Sequence, residues 1–221
     1  MAGHEALWRS IVDSEDQAAA VRAHLSFLTS TEECGKLLDR LMGQFVRADI
    51  DGERLTLLFT HAEFDDECLV ECEAPYVGDA DVPASYLAAC HVHNGMALES
   101  IGGGWYAYGG CVDGRFANGG AWEWQALEEA GDDNAEFLTG LREAGLRPRD
   151  VLSPCDFGQN WLIWNPAERN SLGEPTVYFV SHGDCAAVPV DEVRDLGFGA
   201  LYLRVLVQAI VGDDVLAAVY S

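Results

Sequence analysis

The sequence predicts an α+β protein, a mostly antiparallel sheet flanked by helices. Three observations carry this expectation. Helical stripes and short β-branched or aromatic runs come in blocks, without the regular alternation of a parallel βαβ fold. The strand-like runs are bounded by glycine, proline and other turn residues. The chain also closes on a strongly apolar helical stretch.

Taken in order, the first fifty residues read as helical. Ser14 and Gln17 form a capping-box pattern ahead of Ala18, Val21, Leu25 and Leu28 on one face. Ser30 and Glu33 repeat the start signal, and Cys34, Leu37, Leu38, Leu41 and Phe45 make a second stripe. Residues 54–60 (RLTLLFT) and 67–73 (ECLVECE) follow as strands, joined by the polar loop around Asp65 and Asp66. Pro83 stands where a helix begins, and the helix is expected to run to the Asn94-Gly95 stop. Glycines and aromatics then alternate from Met96 to Gly120, the pattern of short strands with tight turns. Asn134 to Gly145 reads as a helix with Phe137, Leu138 and Leu141 on its apolar side. Residues 160–165 (NWLIWN) and 176–181 (TVYFVS) form a strand pair around a loop with Gly173 and Pro175. The last helix spans about 199–211, with Phe198, Tyr202, Val205, Leu206, Ala209 and Ile210 on its buried face. The division expected is a helical segment, 1–50, packed on an α+β domain, 51–221, with one single domain over 1–221 as the alternative.

Composition bounds the function. In 221 residues, 37 acidic against 13 basic side chains give a formal net charge of −24. Such a surface repels phosphate backbones and anionic lipid, which argues against nucleic acid or a membrane as partner and favours a basic protein. No apolar run approaches the roughly 18 residues of a membrane span. Seven cysteines are an odd number, and Met1 to Asp13 shows no basic region followed by an apolar stretch. Both point to reduced thiols in a cytoplasmic protein.

Four constellations invite chemistry. His91 and His93 would share a metal only on a strand; on a helix their rings point about 200° apart. Two surface histidines at a helix end is the reading preferred, and a metal-dependent or other enzyme using His91, His93 and Glu99 is the alternative. Cys68 and Cys72, four apart on a strand, are separated by about 13 Å, too far for one tetrahedral ion, and read as buried small hydrophobes. Gly102-Gly103-Gly104 leads into a strand pattern with no lysine nearby, unlike a phosphate loop. Ser181, His182 and Asp184 lie too close in sequence to converge as a triad. No cofactor is called for.

The acids cluster. Residues 51–100 hold eleven acids and one base, Arg54. A second group, Glu128, Glu129, Asp132, Asp133 and Glu136, follows Trp122 and Trp124. That second face, with its two tryptophans, is the candidate partner-binding surface, and Glu63 to Asp81 is the next.

Val82-Pro83-Ala84-Ser85-Tyr86 followed by Asn94-Gly95, with eleven residues from Pro83 to Asn94, resembles the signature of the SUKH superfamily, the Smi/Knr-like domains. Pro154, Gly158-Gln159-Asn160-Trp161, Gly173-Glu174-Pro175, Val177-Tyr178-Phe179 and the 199–211 helix continue the resemblance in the family's order over about residues 75–211. Val82 replaces the usual leucine, and the long N-terminal part departs from the pattern. The resemblance implies an α+β fold without a catalytic centre. Many bacterial members are immunity proteins that bind and block a cognate toxin, often a nuclease. An acidic inhibitor would be steered to such a basic partner.

Overall fold

Among the described residues, nine strands lie side by side in the order in which the chain makes them. The structure, a computed structural model, describes residues 2–99, 105–116, 135–147, 152–156, 160–181 and 183–216. Helices α1 (Ala2–Val12), α2 (Gln17–His24) and α3 (Glu32–Met42) precede strands β1 (Phe45–Asp51), β2 (Arg54–Thr60) and β3 (Glu67–Cys72). Helix α4 (Ala84–Cys90) leads to β4 (Met96–Glu99) and β5 (Trp105–Tyr108). A small hairpin, β6 (Cys111–Val112) with β7 (Arg115–Phe116), stands apart from the main sheet. Helix α5 (Ala135–Glu143) comes before β8 (Leu152–Asp156), β9 (Asn160–Arg169), β10 (Pro175–Ser181) and β11 (Ala186–Pro189), and α6 (Phe198–Val211) follows. Neighbouring strands of the main sheet are antiparallel, and β5 meets β8 at one pair, Ala107 with Asp156. The sheet is thus two antiparallel parts of five and four strands, flanked by helices. The α+β expectation holds.

The N-terminal fifty residues are not all helical. Gly43 closes α3, and Phe45, expected on its apolar stripe, instead opens β1 and packs edge-on against Phe59 of β2 at 5.8 Å. The alternation of Val46, Arg47, Ala48, Asp49 and Ile50 suits a strand, with Ala48 buried between exposed neighbours. The caps also shift. Asp16 rather than Ser14 caps α2, accepting from the Ala19 N–H at 2.9 Å, and Thr31 rather than Ser30 caps α3, accepting from Cys34 at 3.1 Å. Each is a residue of the same chemistry a step or two along, which spacing alone does not separate. Gln17 is not the return arm of a capping box. It donates to the Val12 carbonyl and accepts from the Ala48 N–H, tying α1 and α2 to β1.

Helix α4 stops at Cys90, four residues before Asn94. Asn94 has a different task. Its side chain donates to the Cys111 carbonyl at 2.9 Å and accepts from the Cys111 N–H at 2.7 Å. The approach is so close that a Cβ on Gly110 (φ +77°) would fall 1.9 Å from the Asn94 carbonyl oxygen. Pro83 is the N-cap residue and has no side-chain acceptor to offer. Glu174 supplies one from the loop before β10, accepting from both the N–H and the hydroxyl of Ser85 at 2.6 Å. The Ser85 hydroxyl in turn accepts from the Phe198 N–H at the start of α6, at 2.8 Å.

Helix α6 is buried on nearly every side, wider than the expected stripe. Leu201, Leu203, Val207 and even Arg204 are buried beside Tyr202, Val205 and Leu206. It runs over the main core, and the Tyr202 hydroxyl donates to the Met96 carbonyl at 3.0 Å. A second core forms where Phe137, Leu138 and Leu141 of α5 meet Trp161, Ile163 and Val180. Strand β9 sends Leu162 and Trp164 to the first core and Trp161 and Ile163 to the second. Burial on both faces explains its unbroken apolar run.

Glu174→Ala removes the surrogate cap of α4. It is expected to lower unfolding free energy by about 1–3 kcal/mol, hence the melting temperature by about 2–4 °C per kcal/mol. The exposed Glu53→Ala should stay within about 0.5 kcal/mol of the parent in the same thermal unfolding measurement.

Candidate functional site

Six of the seven residues of the expected partner face, Trp122, Trp124, Glu128, Glu129, Asp132 and Asp133, lie outside the described residues. Glu136 is exposed in the first turn of α5. The acidic stretch named second, from Glu63, is where the geometry is informative. The β2–β3 connection carries Phe64 at 63% exposure, its ring stacked on His61 with centroids 4.7 Å apart. Glu63, Asp65, Asp66 and Glu67 around it are all exposed. Asp65 adopts φ +54°, a left-handed conformation that aspartate tolerates better than most residues.

This tip is fastened to the end of α6. The Ala62 N–H donates to the Ile210 carbonyl at 3.0 Å, and the His61 N–H to the Asp66 carbonyl at 2.8 Å. Gly212, with φ +77°, closes the helix so near that a Cβ there would lie 3.3 Å from the Glu63 carboxylate. Asp213 and Asp214 follow, with Arg40 paired to Asp213. Carboxylates from two distant segments therefore collect at the helix end that already carries the negative pole of its dipole. The exposed Phe64 ring stands among the acids of the β2–β3 connection. Such a surface can take a cationic side chain over the ring and its counter-charges around it.

A cleft of about 980 Å³ lies elsewhere, between the start of α1, the ends of β3 and β5, and residues 74–77. Arg54 sits at its wall between Glu71 at 3.1 Å and Glu73 at 2.7 Å. The guanidinium is neutralised there by two carboxylates, which leaves the wall net acidic.

The two histidines part company. His91 ends α4 on the surface, donates to the Gly78 carbonyl at 2.9 Å and lies parallel to Tyr76. His93 is not a surface residue: it is 0% exposed. Its Nδ1 donates to the Glu73 carbonyl at 3.0 Å, and its Nε2 faces Nε2 of His24 at 2.8 Å. Trp8 stacks on it with centroids 5.9 Å apart. Burial, reinforced by His24, pulls the His93 pKa down to about 3. The chain turns after Cys90, which is what sends residues two apart to opposite environments. Glu99 lies on β4, paired with Leu69 and Trp105. Among the described residues no three His, Cys, Asp or Glu side chains form a group able to hold a metal.

Cys68 and Cys72 are buried on the inner side of β3, and burial raises both thiols. Cys90 and Cys111 bring their sulfurs to 3.8 Å, a proximity no spacing rule could have found across 21 residues. Burial raises Cys34 too, but the Thr31 hydroxyl, the Ser30 backbone and Arg204 outweigh it and lower the thiol overall. Ser181 donates to the Asp184 carboxylate at 2.7 Å and accepts from the Asp184 N–H at 3.2 Å, closing the β10–β11 turn. His182 and the glycines 102–104 lie outside the described residues.

No family model, no curated protein and no solved structure matches this chain. Among the described residues no helix is long and apolar enough to cross a membrane.

All seven cysteines are free thiols, and only Cys185 is better than buried. A neutral alkylating reagent at pH 7.5 is therefore expected to label Cys185 first. The other six should follow only on denaturation, which mass spectrometry of the intact protein reads directly.

Proposed function

We propose that this protein is a binding module that captures a basic protein partner. In the terms of its resemblance to Smi/Knr-like domains, it is an immunity protein acting in the cytoplasm on a cognate toxin, a nuclease being the basic toxin type the charge suits best. The observation that carries the reading is the half-naked Phe64 ring on a tip of four exposed acids, anchored beside Asp213 and Asp214. An aromatic anchor supplies the desolvated contact that charge alone lacks, and the surrounding charge steers the encounter. The net charge of −24 makes that steering long-ranged at low salt. The acids are free for this task because exposed charges contribute little to stability.

The test is association with a toxin domain encoded beside the gene, followed by surface kinetics at increasing ionic strength. The on-rate should fall with salt, and Phe64→Ala should weaken binding about tenfold or more. The triple variant Glu63→Lys, Asp66→Lys and Glu67→Lys, which spares the left-handed Asp65, should slow association while the melting temperature holds. Unchanged kinetics in both variants would move the interface away from the tip. Charge reversal at Glu128, Glu129, Asp132 and Asp133 then asks whether the other acidic face, with Trp122 and Trp124, is used instead.

A further inference from the structure

The contact between His24 and His93 carries one proton and has no room for a second. The Nδ1 of His93 donates to the Glu73 carbonyl, so in the neutral ring its Nε2 can only accept. The donor is the Nε2–H of His24, 2.8 Å away. Whichever ring carries it, the gap holds one hydrogen. Protonating His93 forces His24 to give up its Nε2–H, and with both rings protonated two N–H donors would stand head to head. The closed pair can thus take up at most one proton where the open pair takes up two. A proton on His93 would also place a charge at a site with 0% exposure.

Among the described residues, no carboxylate faces the pair to compensate that charge. From α1 come Trp8, stacked on His93, and His4, edge-on to Trp8 at 4.9 Å. From α2 comes His24, and from the turn after it Phe27, 6.1 Å from His93. The segment after β3 contributes the Glu73 carbonyl, while the Glu73 carboxylate is engaged by Arg54. Both titratable neighbours, His24 and His4, oppose a proton on His93, and burial depresses His24 as well. Beside the pair, a cavity of about 540 Å³ opens between α1, α2 and the end of α4, lined by Leu7, Trp8, Ile11 and Ala23. The groove brings solvent close to one side of the pair, while Trp8, Ile11, Val21 and Leu25 pack the helices on the core.

We propose that the His24–His93 contact is a proton-operated latch, which holds α1 and α2 against the sheet at neutral pH and releases them in acid. The sign follows from proton counting. Closed, His93 stays neutral; opened, it takes up a proton near the free-histidine pKa of about 6.5. Opening therefore binds a proton, and falling pH favours it by about tenfold per pH unit below that value. The latch does not depend on what the acidic tip binds.

Hydrogen exchange of the full chain at pH 7 and pH 5, corrected for intrinsic rates, tests it. Amides of α1 and α2 should lose protection by about tenfold or more between the two, while those of β9 and β10 lose far less. His93→Gln keeps a donor for the Glu73 carbonyl and an acceptor for His24 but cannot titrate, and should remove at least that tenfold. Equal loss of protection in α1, α2, β9 and β10 would overturn the latch. A readout independent of the variant is the ring-nitrogen NMR of His93 in the parent protein. It should report a neutral ring with hydrogen on Nδ1 at pH 5.5, and a ring titrating near 6.5 while α1 and α2 remain protected would overturn the proposal.

Discussion

One serine joins segments from three widely separated parts of the chain. Ser85 gives its N–H and its hydroxyl proton to Glu174, and its oxygen accepts the first N–H of α6, 113 residues away in sequence. Proline cannot cap α4 itself, so the helix start depends on a carboxylate delivered from the loop before β10. Packing at this node is tight: a Cβ on Gly197 would come within 2.9 Å of the Ser85 Cβ. One residue on, Tyr86 is fully buried against Tyr108, Trp164 and Phe198, and its hydroxyl exchanges hydrogen bonds with both backbone groups of Gly110. Asn94 does the same for Cys111. Ser85, Tyr86 and Asn94 are therefore joints of the scaffold.

What the node positions is α6, and what α6 positions is the rest. Its flank buries Arg204, 3% exposed, which reaches Glu33 at 3.0 Å and the Ala200 carbonyl at 3.2 Å. A buried guanidinium left without its carboxylate is costly, so α3 is held to α6 by more than apolar contact. At its far end the same helix sets the acidic tip, through Ile210 and Gly212. Fold and candidate interface thus share a single element, although the charges themselves lie outside the core.

The tip itself was half visible in the chain. Its acids are plain from composition, and a charge run between two strands suggests a turn. That Asp213 and Asp214 join it, or that Phe64 stays in solvent while Phe59 and Phe45 pack together, depends on where α6 ends. The histidines teach the converse. Two residues two apart share a strand face or diverge on a helix, but His91 and His93 lie beyond the helix end, where no period applies. His93 then turns inward because α1 and α2 close over it, and those helices are more than forty residues away.

Periodicity alone determined the class of fold, the apolar helix at the end, the paired strands about Gly173 and the starts of α3 and α4 to within a residue or two. These are local properties: alternation, helical spacing and cap chemistry act over a single turn or strand. The switch from helix to strand at Phe45 needed β2 as a partner, since a lone strand has nothing to pair with. Glu174 as the cap of Ser85, Asn94 as the clamp on Cys111, and His24 as the partner of His93 were decided only by the tertiary structure. Each joins atoms many residues apart, and a hydrogen bond across that distance leaves no period in the chain that makes it.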